Sequence, residues 1–238
     1  MAAPETSPPV RLWLLDFDGT IAQLRTAVDW AGGRRVLEPY LRSAGAPEEL
    51  FAEIPHGNLP LYEAYRARLA ANGSLEKKSA EVIRAASEII ERIELAGVER
   101  AGPLDGAIEL LVRLRADGAK LAIVTSNSSR AVTRWFELNR AALPDAIVGR
   151  DSMLALKPSP AMLLRALEIF SAAPAAAAFI GDTEADAIAA RMARVRFFGI
   201  AADASEHNRL IAAGAEQIFA SPAALAANSR LFSQRVRP

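Results

Sequence analysis

The sequence predicts an α/β protein in which a parallel sheet carries helices on both faces and an all-helical segment follows the first strand. Residues 10–15 form an apolar run that ends in two acids, which is typical of a strand buried on both faces. Strand-like and helical patterns alternate from Gly102 onwards, as in a parallel α/β sheet. Residues 22–99 show helical spacing without β alternation. We therefore expect a core of residues 1–21 and 100–238, with residues 22–99 as an inserted helical domain.

The first strand ends at an unusual place for a buried element, because Asp16 and Asp18 follow it directly. Residues two apart on a strand point to the same side, so we expect both carboxylates to face one region. Gly19 allows a sharp exit from the strand. Open parallel sheets bind ligands beyond the carboxyl ends of their strands, and the sequence therefore predicts a site at this point.

The inserted segment is expected to contain four helices, with Gly32 and Gly33 marking either a turn or a kink in the first of them. A loop is predicted from His56 to Pro60, because this stretch contains Gly57, Asn58 and Pro60 and follows Pro55. The expected helices cover residues 28–41, 48–54 and 61–71, and a last one that starts with Ser74 as its N-cap.

Beyond Gly102 we expect a Rossmann-like arrangement, with strands that each return to the sheet through a helix. The predicted strands are residues 120–124, 146–148, 176–180, 195–200 and 217–219. The predicted helices are residues 106–116, stretches through Trp135 and Leu163, one that begins near Glu184, residues 208–213 and a last one after Ala223. Trp13 and Trp135 are interpreted as core anchors.

The composition argues against several classes of partner. Lysine plus arginine and aspartate plus glutamate each total 28 of 238 residues, so no bulk field attracts nucleic acid or an anionic membrane. The chain has no cysteine, which excludes thiol catalysis and fits a reducing, cytoplasmic setting. Residues 1–9 lack the features of a secretion signal and no run reaches transmembrane length. We interpret residues 1–9 and the basic end with Arg230, Arg235 and Arg237 as frayed tails.

Polar groups of several kinds stand at the predicted strand ends, and in a parallel sheet these ends share one edge. They are Asp16, Asp18, Thr125, Ser126, Asn127, Lys157, Asp182 and Asp186. Two unit charges ~4 Å apart repel by about 4 kcal/mol at an effective dielectric near ~20, so clustered carboxylates call for a cation. Oxygen ligands favour a hard ion such as Mg²⁺. Hydroxyl, amide and lysine groups beside that ion predict a cradle for a phosphoryl group.

This ordered set resembles the haloacid dehalogenase superfamily of phosphohydrolases. Its first motif, Asp-x-Asp-Gly-Thr, corresponds to Asp16–Thr20, and its second is a Thr or Ser that closes a strand, here Thr125 or Ser126. The third is a lysine, here Lys157 before a proline, and the fourth is Gly-Asp-x-x-x-Asp, here Gly181–Asp186. The helical insert resembles, in position and helicity, the cap domain of the phosphoglycolate-phosphatase-like branch.

The resemblance implies a role for each motif residue. Asp16 is the nucleophile that forms an aspartyl-phosphate, and Asp18 is the general acid and then base. Mg²⁺ is held by Asp16, by the backbone carbonyl of Asp18, by Asp182 and, directly or through water, by Asp186. Thr125 or Ser126, Lys157 and Asn127 contact the phosphoryl oxygens, although Asn127 has the alternative of closing a turn. The substrate is a small phosphorylated metabolite, and no prediction of the oligomeric state follows.

Other interpretations stay open at several of these positions. Asp182 has the alternative role of N-cap for the helix near Glu184, and Asp186 that of an ordinary acid in its first turn. Arg25 is a candidate for binding a substrate carboxylate or second phosphate, and His56 for reaching the site from its loop. A solvated surface position is the alternative for both.

Two departures from the family pattern stand out. Many relatives follow the first motif with Leu-x-Asp-Ser, whereas this chain has Ile21-Ala22-Gln23-Leu24-Arg25, which weakens an assignment to phosphoglycolate. Relatives often carry a glycine before the strand that follows the fourth motif. This chain has Met192-Ala193-Arg194-Val195 there, so we expect that turn to be built differently.

The predicted function is Mg²⁺-dependent hydrolysis of a small phosphate monoester. A phosphomutase would share Asp16 and Asp18 but keep the intermediate from water. A dehalogenase is disfavoured, because Asp18 and the acidic fourth motif indicate a metal-dependent phosphoryl site. A non-catalytic binding or regulatory protein on the same scaffold is the remaining alternative, and it is disfavoured because no motif position is lost.

Overall fold

A computed structural model describes residues 10–71, 77–228 and 231 of the chain, and within them the predicted α/β fold is confirmed. The strands are β1 (Leu12–Leu15), β2 (Lys120–Val124), β3 (Ala146–Val148), β4 (Ala177–Gly181), β5 (Arg196–Ile200) and β6 (Gln217–Phe219). The expected tail at residues 1–9, the N-cap at Ser74 and the basic residues Arg230, Arg235 and Arg237 lie outside the described residues.

The helices divide into a group before β2 and a group that alternates with the later strands. The first group is α1 (Trp30–Ser43), α2 (Glu48–Glu53), α3 (Asn58–Ala71), α4 (Lys77–Val98) and α5 (Ala107–Ala116). The second group is α6 (Ser129–Leu138), α7 (Ala161–Ile169), α8 (Glu184–Ala193), α9 (Ala204–Ala213) and α10 (Pro222–Ala226). Single 3₁₀ turns occupy Arg150–Ser152 and Pro174–Ala176.

The strands form one parallel sheet in the order β3-β2-β1-β4-β5-β6. The first strand lies in the middle, between β2 and β4, and its last residue Leu15 is level with Ile123 and Ile180. Because all strands run the same way, the residues that follow β1, β2 and β4 emerge side by side at one edge. This register brings the predicted motifs together.

Both faces of the sheet are covered, which explains the unbroken apolar run of β1. Leu12 and Leu14 belong to the hydrophobic cluster that includes α7 and α8, whereas Trp13 and Leu15 belong to the one that includes α5 and α6. Trp13 and Trp135 are almost wholly buried, as predicted for core anchors. The Trp135 indole also donates a hydrogen bond to the carbonyl of Ala101 over 2.8 Å, which satisfies its one polar atom.

Helix α1 runs unbroken through Gly32 and Gly33, so these glycines do not form the turn between two short helices that was one of the two expectations. The carboxylate of Asp29 accepts a hydrogen bond from the Gly32 amide over 2.7 Å and caps the helix. A Cβ on Gly33 would lie 2.3 Å from Cδ1 of Ile93. These glycines therefore permit capping and close packing of α1 against α4 rather than a break.

The loop predicted from His56 to Pro60 is shorter than expected, because α3 already begins at Asn58. Pro60 falls in the first turn of that helix, where the amide hydrogen that proline lacks has no intrahelical partner in any case. This early start places Asn58 and Leu59 on a helix instead of a loop.

The turn after α8 is built without glycine, as the sequence comparison with the family pattern led us to expect. Arg194 takes the left-handed conformation, with φ of 58°, and ends the helix. Its amide reaches the carbonyl of Arg191. No helix in the described parts of the chain combines the length and apolar composition needed to cross a bilayer.

Candidate active site

The two acids of the first motif lie where β1 leaves the sheet. The Asp16 amide still donates to the carbonyl of Ile180 on β4 over 2.8 Å, so this residue is fixed by the sheet itself. Its side chain is buried, whereas Asp18 is half-buried. One carboxylate oxygen of Asp18 accepts the backbone amide of Arg25 over 2.8 Å. Both acids line the same cavity.

Gly19 makes room for the fourth motif. Its φ is +86°, and a Cβ at this position would lie 2.2 Å from Oδ2 of Asp182. An L side chain would therefore meet both backbone strain and a clash. The glycine of the first motif thus allows the turn after β1 to approach the carboxylate that follows β4.

Two acids with different roles follow β4, Asp182 in the turn before α8 and Asp186 in the first turn of that helix. Thr183, not Asp182, is the N-cap of α8, so the alternative role of Asp182 as N-cap is wrong. Asp186 completes a capping box, because its Oδ2 accepts the Thr183 amide over 3.0 Å. Asp186 therefore lies in the first turn of α8, and its other oxygen is left for the site.

Lys157 joins the first and fourth motifs. Its Nζ lies 2.6 Å from Oδ1 of Asp16 and 2.5 Å from Oδ1 of Asp186, and the side chain is 5% exposed. Burial by itself lowers the pKa of Lys157, but the charges of Asp16 and Asp186 outweigh burial and raise that pKa above its usual range. The lysine is a buried cation at the sheet edge and not a surface residue.

Burial first, and then repulsion between neighbouring acids, raises the pKa values of the carboxyl groups in this arrangement. Burial raises the pKa of Asp16 to about 6, with Lys157 opposing the rise and Asp186 adding to it. Burial, followed by the charges of Asp16 and Asp186, raises the pKa of Asp182 to about 7 against the opposing effect of Arg25 and Lys157. Burial also raises the pKa of Asp18. One lysine and one arginine therefore do not fully offset the negative charge here.

The donor set fits a hard divalent cation. One carboxylate oxygen from each of Asp16, Asp182 and Asp186 lies within 4.8 Å of the others. Such an all-oxygen cluster with uncompensated charge suits an ion of the Mg²⁺ type. The carboxylate of Asp18 is not in this group, and the resemblance implies only its backbone carbonyl as a ligand.

The loop after β2 is ordered by its own hydrogen bonds. The Thr125 hydroxyl donates to Oδ1 of Asn127 over 3.0 Å, and the backbone amide of Asn127 donates to that hydroxyl over 3.2 Å. Thr125 and Asn127 are buried, whereas Ser126 is half-buried. All three line the cavity, so both hydroxyls stay candidates for binding a phosphoryl group.

A cavity of about 290 Å³ lies between this edge of the sheet and the helices that precede β2. Its volume suits a small molecule. On the sheet side its wall includes Asp16, Asp18, Thr125, Ser126, Asn127 and Lys157. On the helical side it includes Arg25, Trp30, Gly57, Asn58, Leu59 and Pro60.

The two candidates for substrate contact differ in position. Arg25 lines the cavity, and its guanidinium donates to Oδ2 of Asp182 over 3.0 Å with 61% of the side chain exposed. This pair contributes little to stability, because solvent screens it. His56 is exposed and is not part of the cavity wall, although Gly57 beside it is. The structure therefore brings Arg25 to the site and leaves His56 outside it.

Two residues near the site, Glu94 and Arg150, belong to none of the four sequence motifs. Glu94 of α4 and Arg150 form an ion pair of 2.8 Å, and both side chains are 0% exposed. The available signal was the position of Glu94, four residues after Ile90 on the buried stripe of an amphipathic helix. An acid on such a stripe indicates a buried partner.

Comparisons with known proteins agree with this geometry. The family model of haloacid dehalogenase-like hydrolases matches residues 13–200. Phosphoglycolate phosphatase from Nitrosospira multiformis is 34% identical over 199 residues, which is 80% of this chain and 82% of that protein. Protein CbbY from Rhodobacter capsulatus is 25% identical over 200 residues, which is 77% of this chain and 82% of that protein.

The fold has solved counterparts as well. The crystal structure of CbbY from Rhodobacter sphaeroides in complex with phosphate aligns with a TM-score of 0.61 at 22% identity, covering 91% of this chain and 96% of that chain. The family match spans most of this sequence and includes all four motifs. The chain therefore belongs to the haloacid dehalogenase-like hydrolase family and is an enzyme of its phosphatase type.

Proposed function

We propose that this enzyme hydrolyses a small phosphate monoester with Mg²⁺ through a phospho-aspartate on Asp16. The observation that carries the proposal is the meeting of Asp16, Asp182, Asp186 and Lys157 at one edge of the sheet, where Asp16 and Lys157 also line the cavity. The buried Asp16 and Asp186 and the half-buried Asp182, beside a lysine and two hydroxyls, make a site that can hold both a cation and a phosphoryl group.

In the first step a carboxylate oxygen of Asp16 attacks phosphorus, and the bond from phosphorus to the leaving oxygen breaks. Asp18 gives its proton to that oxygen, so an alcohol departs. The raised pKa of Asp18, caused by burial, suits a group that must hold a proton at the start. In the second step Asp18 takes a proton from water, the water oxygen bonds to phosphorus, and the phosphorus–Asp16 bond breaks.

Bound Mg²⁺ would neutralise charge on the transferring phosphoryl group. Asp16, Asp182, Asp186 and the backbone carbonyl of Asp18 would hold it. Asp186 keeps one oxygen for the capping box and one toward Lys157, so its contribution through water is as compatible with the geometry as direct contact. Gly19 supports this arrangement by leaving space for Asp182.

The phosphoryl oxygens would be bound by Lys157, by Thr125 or Ser126, and by Asn127. The lysine supplies positive charge to the cavity wall, and the loop after β2 supplies hydroxyl and amide groups to it. The hydrogen bonds within that loop fix its backbone before substrate arrives. To bind a phosphoryl oxygen, the Thr125 hydroxyl would turn its one hydrogen away from Asn127.

We assign residues 22–99 to a cap and residues 1–21 and 100–238 to the catalytic core. The cavity has one wall on each of these parts, so the cap would exclude water and select the leaving group. Arg25 on the cap side is our candidate for a second anionic group of the substrate. The cytoplasmic location and the absence of a nucleic-acid partner stay predictions from the composition.

A direct test measures phosphate release from p-nitrophenyl phosphate with and without Mg²⁺, for the wild type and for Asp16→Asn. The proposal expects Mg²⁺-dependent turnover that the variant loses while it keeps its fold by circular dichroism. Hydrolysis by folded Asp16→Asn at the wild-type rate would rule out the covalent route. A phosphomutase is distinguished with a sugar phosphate, from which it would release isomer rather than inorganic phosphate.

A further inference from the structure

A buried ion pair connects helix α4 with the 3₁₀ turn that follows β3. The guanidinium of Arg150 donates to both carboxylate oxygens of Glu94 over 2.8 Å each. Neither side chain is exposed to solvent. The pair is thus a two-pronged contact deep inside the protein, between the helical segment and the sheet.

Glu94 also binds the loop directly. Its Oε1 accepts the Asn127 side-chain amide over 3.0 Å, and its Oε2 accepts the Ser128 backbone amide over 3.1 Å. Arg150 adds a hydrogen bond to the carbonyl of Ser126 over 2.8 Å. The two partners therefore contact three successive residues of the loop, Ser126 to Ser128. Two of these, Ser126 and Asn127, are candidates for phosphoryl binding.

These contacts determine which way the Asn127 side chain faces. A carboxylate only accepts hydrogen bonds, so the NH₂ group of Asn127 must point to Glu94. The Asn127 Oδ1 atom is then turned to the Thr125 hydroxyl, which donates to it over 3.0 Å. Glu94 therefore orients the Asn127 side chain, and Asn127 in turn orients the Thr125 hydroxyl on the cavity wall.

Stability alone is a weak explanation for the pair. Burying two charges is expensive, and well-packed apolar residues of similar volume often stabilise a protein at least as well. Arg150 is held further by the Ser87 hydroxyl over 3.0 Å and the Ser87 carbonyl over 3.2 Å. Because the other hydrogen bonds of Glu94 within the described part of the chain go to the loop after β2, the pair is better explained by what it orients.

We propose that Glu94 and Arg150 are positioning residues, which hold the loop Thr125–Ser128 in the geometry that binds the transferring phosphoryl group. The inference rests on the proposed function, because it assigns a phosphoryl ligand to that loop. It also means that α4 is part of the binding apparatus, although it belongs to the helical segment and is not in the cavity wall.

The test compares the wild type with Glu94→Met/Arg150→Met, in which both charges are removed together and the volume is retained. The matched control is Glu91→Met/Arg130→Met, since that pair of 2.7 Å joins the same helix to α6 at the surface. We measure thermal unfolding, inhibition of p-nitrophenyl phosphate hydrolysis by inorganic phosphate, and the Mg²⁺ concentration for half-maximal rate.

The expected result is a folded variant whose inhibition constant for phosphate rises about 10-fold or more, with the Mg²⁺ requirement unchanged and the control like the wild type. If the inhibition constant for phosphate and the Mg²⁺ requirement both rose, the pair would stabilise the whole site instead of positioning the loop, which would also overturn the inference. A folded variant with the wild-type inhibition constant would overturn the inference alone. A wild type that neither hydrolyses the ester nor is inhibited by phosphate would overturn the proposed function with it. Should the double variant not fold, Glu94→Gln, which keeps the volume, carries the same expectation.

Discussion

The Nζ atom of Lys157 lies 2.6 Å from Oδ1 of Asp16, and both side chains are buried. These residues are 141 positions apart in the chain, and the parallel sheet brings them together. The lysine lowers the pKa of Asp16, while burial raises it to about 6 overall. The proposed nucleophile is therefore kept ionised near neutral pH by its contact with Lys157.

Replacing Lys157 with methionine should lower kcat/KM for p-nitrophenyl phosphate by about 100-fold or more, the scale of losing one preorganised charge-stabilising group. The change also removes the main influence that lowers the pKa of Asp16, so the remaining rate should shift to higher pH. A pH–rate profile measures both effects. Lys120→Met is the matched control, because its 3.0 Å pair with Asp145 is at the surface. A variant at position 157 with an unshifted profile would contradict this role.

Gly19 and Gly45 allow a clean separation of backbone strain from contact. Their φ values are +86° and +88°, but only at Gly19 would a Cβ meet another atom, Oδ2 of Asp182 at 2.2 Å. Both changes to alanine should cost about 1 kcal/mol or more of folding stability. Only Gly19→Ala should also raise the Mg²⁺ requirement, by about 10-fold or more, because displacing an acidic ligand weakens metal binding. Equal Mg²⁺ titrations for both variants would count against Asp182 as a ligand.

The acid cluster predicts a pH-dependent stability of the metal-free protein. The pKa of Asp16 is raised to about 6 and that of Asp182 to about 7 from a reference of 3.8, mainly by burial. The folded state therefore binds more protons than the unfolded state between these values. Stability should fall as the pH rises from about 4 to about 7.

Mg²⁺ should offset this loss, because it replaces the protons that the cluster gives up. The increase in melting temperature on adding Mg²⁺ should be larger at about pH 8 than at about pH 5. Differential scanning calorimetry in matched buffers measures the effect. The Asp16→Asn/Asp182→Asn variant is the control and should lose the difference. A wild-type increase that is the same at both pH values would contradict a site built from these acids.

The sheet could be predicted closely because its signals are local. Strands β2, β3 and β6 have the predicted bounds, since each is a short apolar run between turn residues. Gly32 and Gly33 misled the prediction of α1, because glycine serves there to let α4 approach and not to break the helix. Distinguishing these uses of glycine requires knowing the neighbouring helix.

The candidate site was predictable as far as its residues follow strands. Asp16, Lys157 and Asp186 meet at one edge of the sheet as expected, because the parallel topology puts strand ends there, but their direct ion pairs were not predicted. Glu94 and Arg150 were missed because neither belongs to a motif, and Glu94 lies in helix α4 instead of at a strand end. The exposed position of His56 was equally hidden, because the start of α3 decides which loop residues face the cavity.

The central claim is that Asp16 takes the phosphoryl group. Acid-quenching the enzyme during turnover of p-nitrophenyl phosphate, followed by borohydride reduction and mass spectrometry of its peptides, tests this directly. We expect the peptide that contains Asp16 to carry homoserine in place of the acid, and the same peptide from enzyme quenched without substrate to be unmodified. Rapid phosphate release with no modification of Asp16 at any quench time would contradict the account.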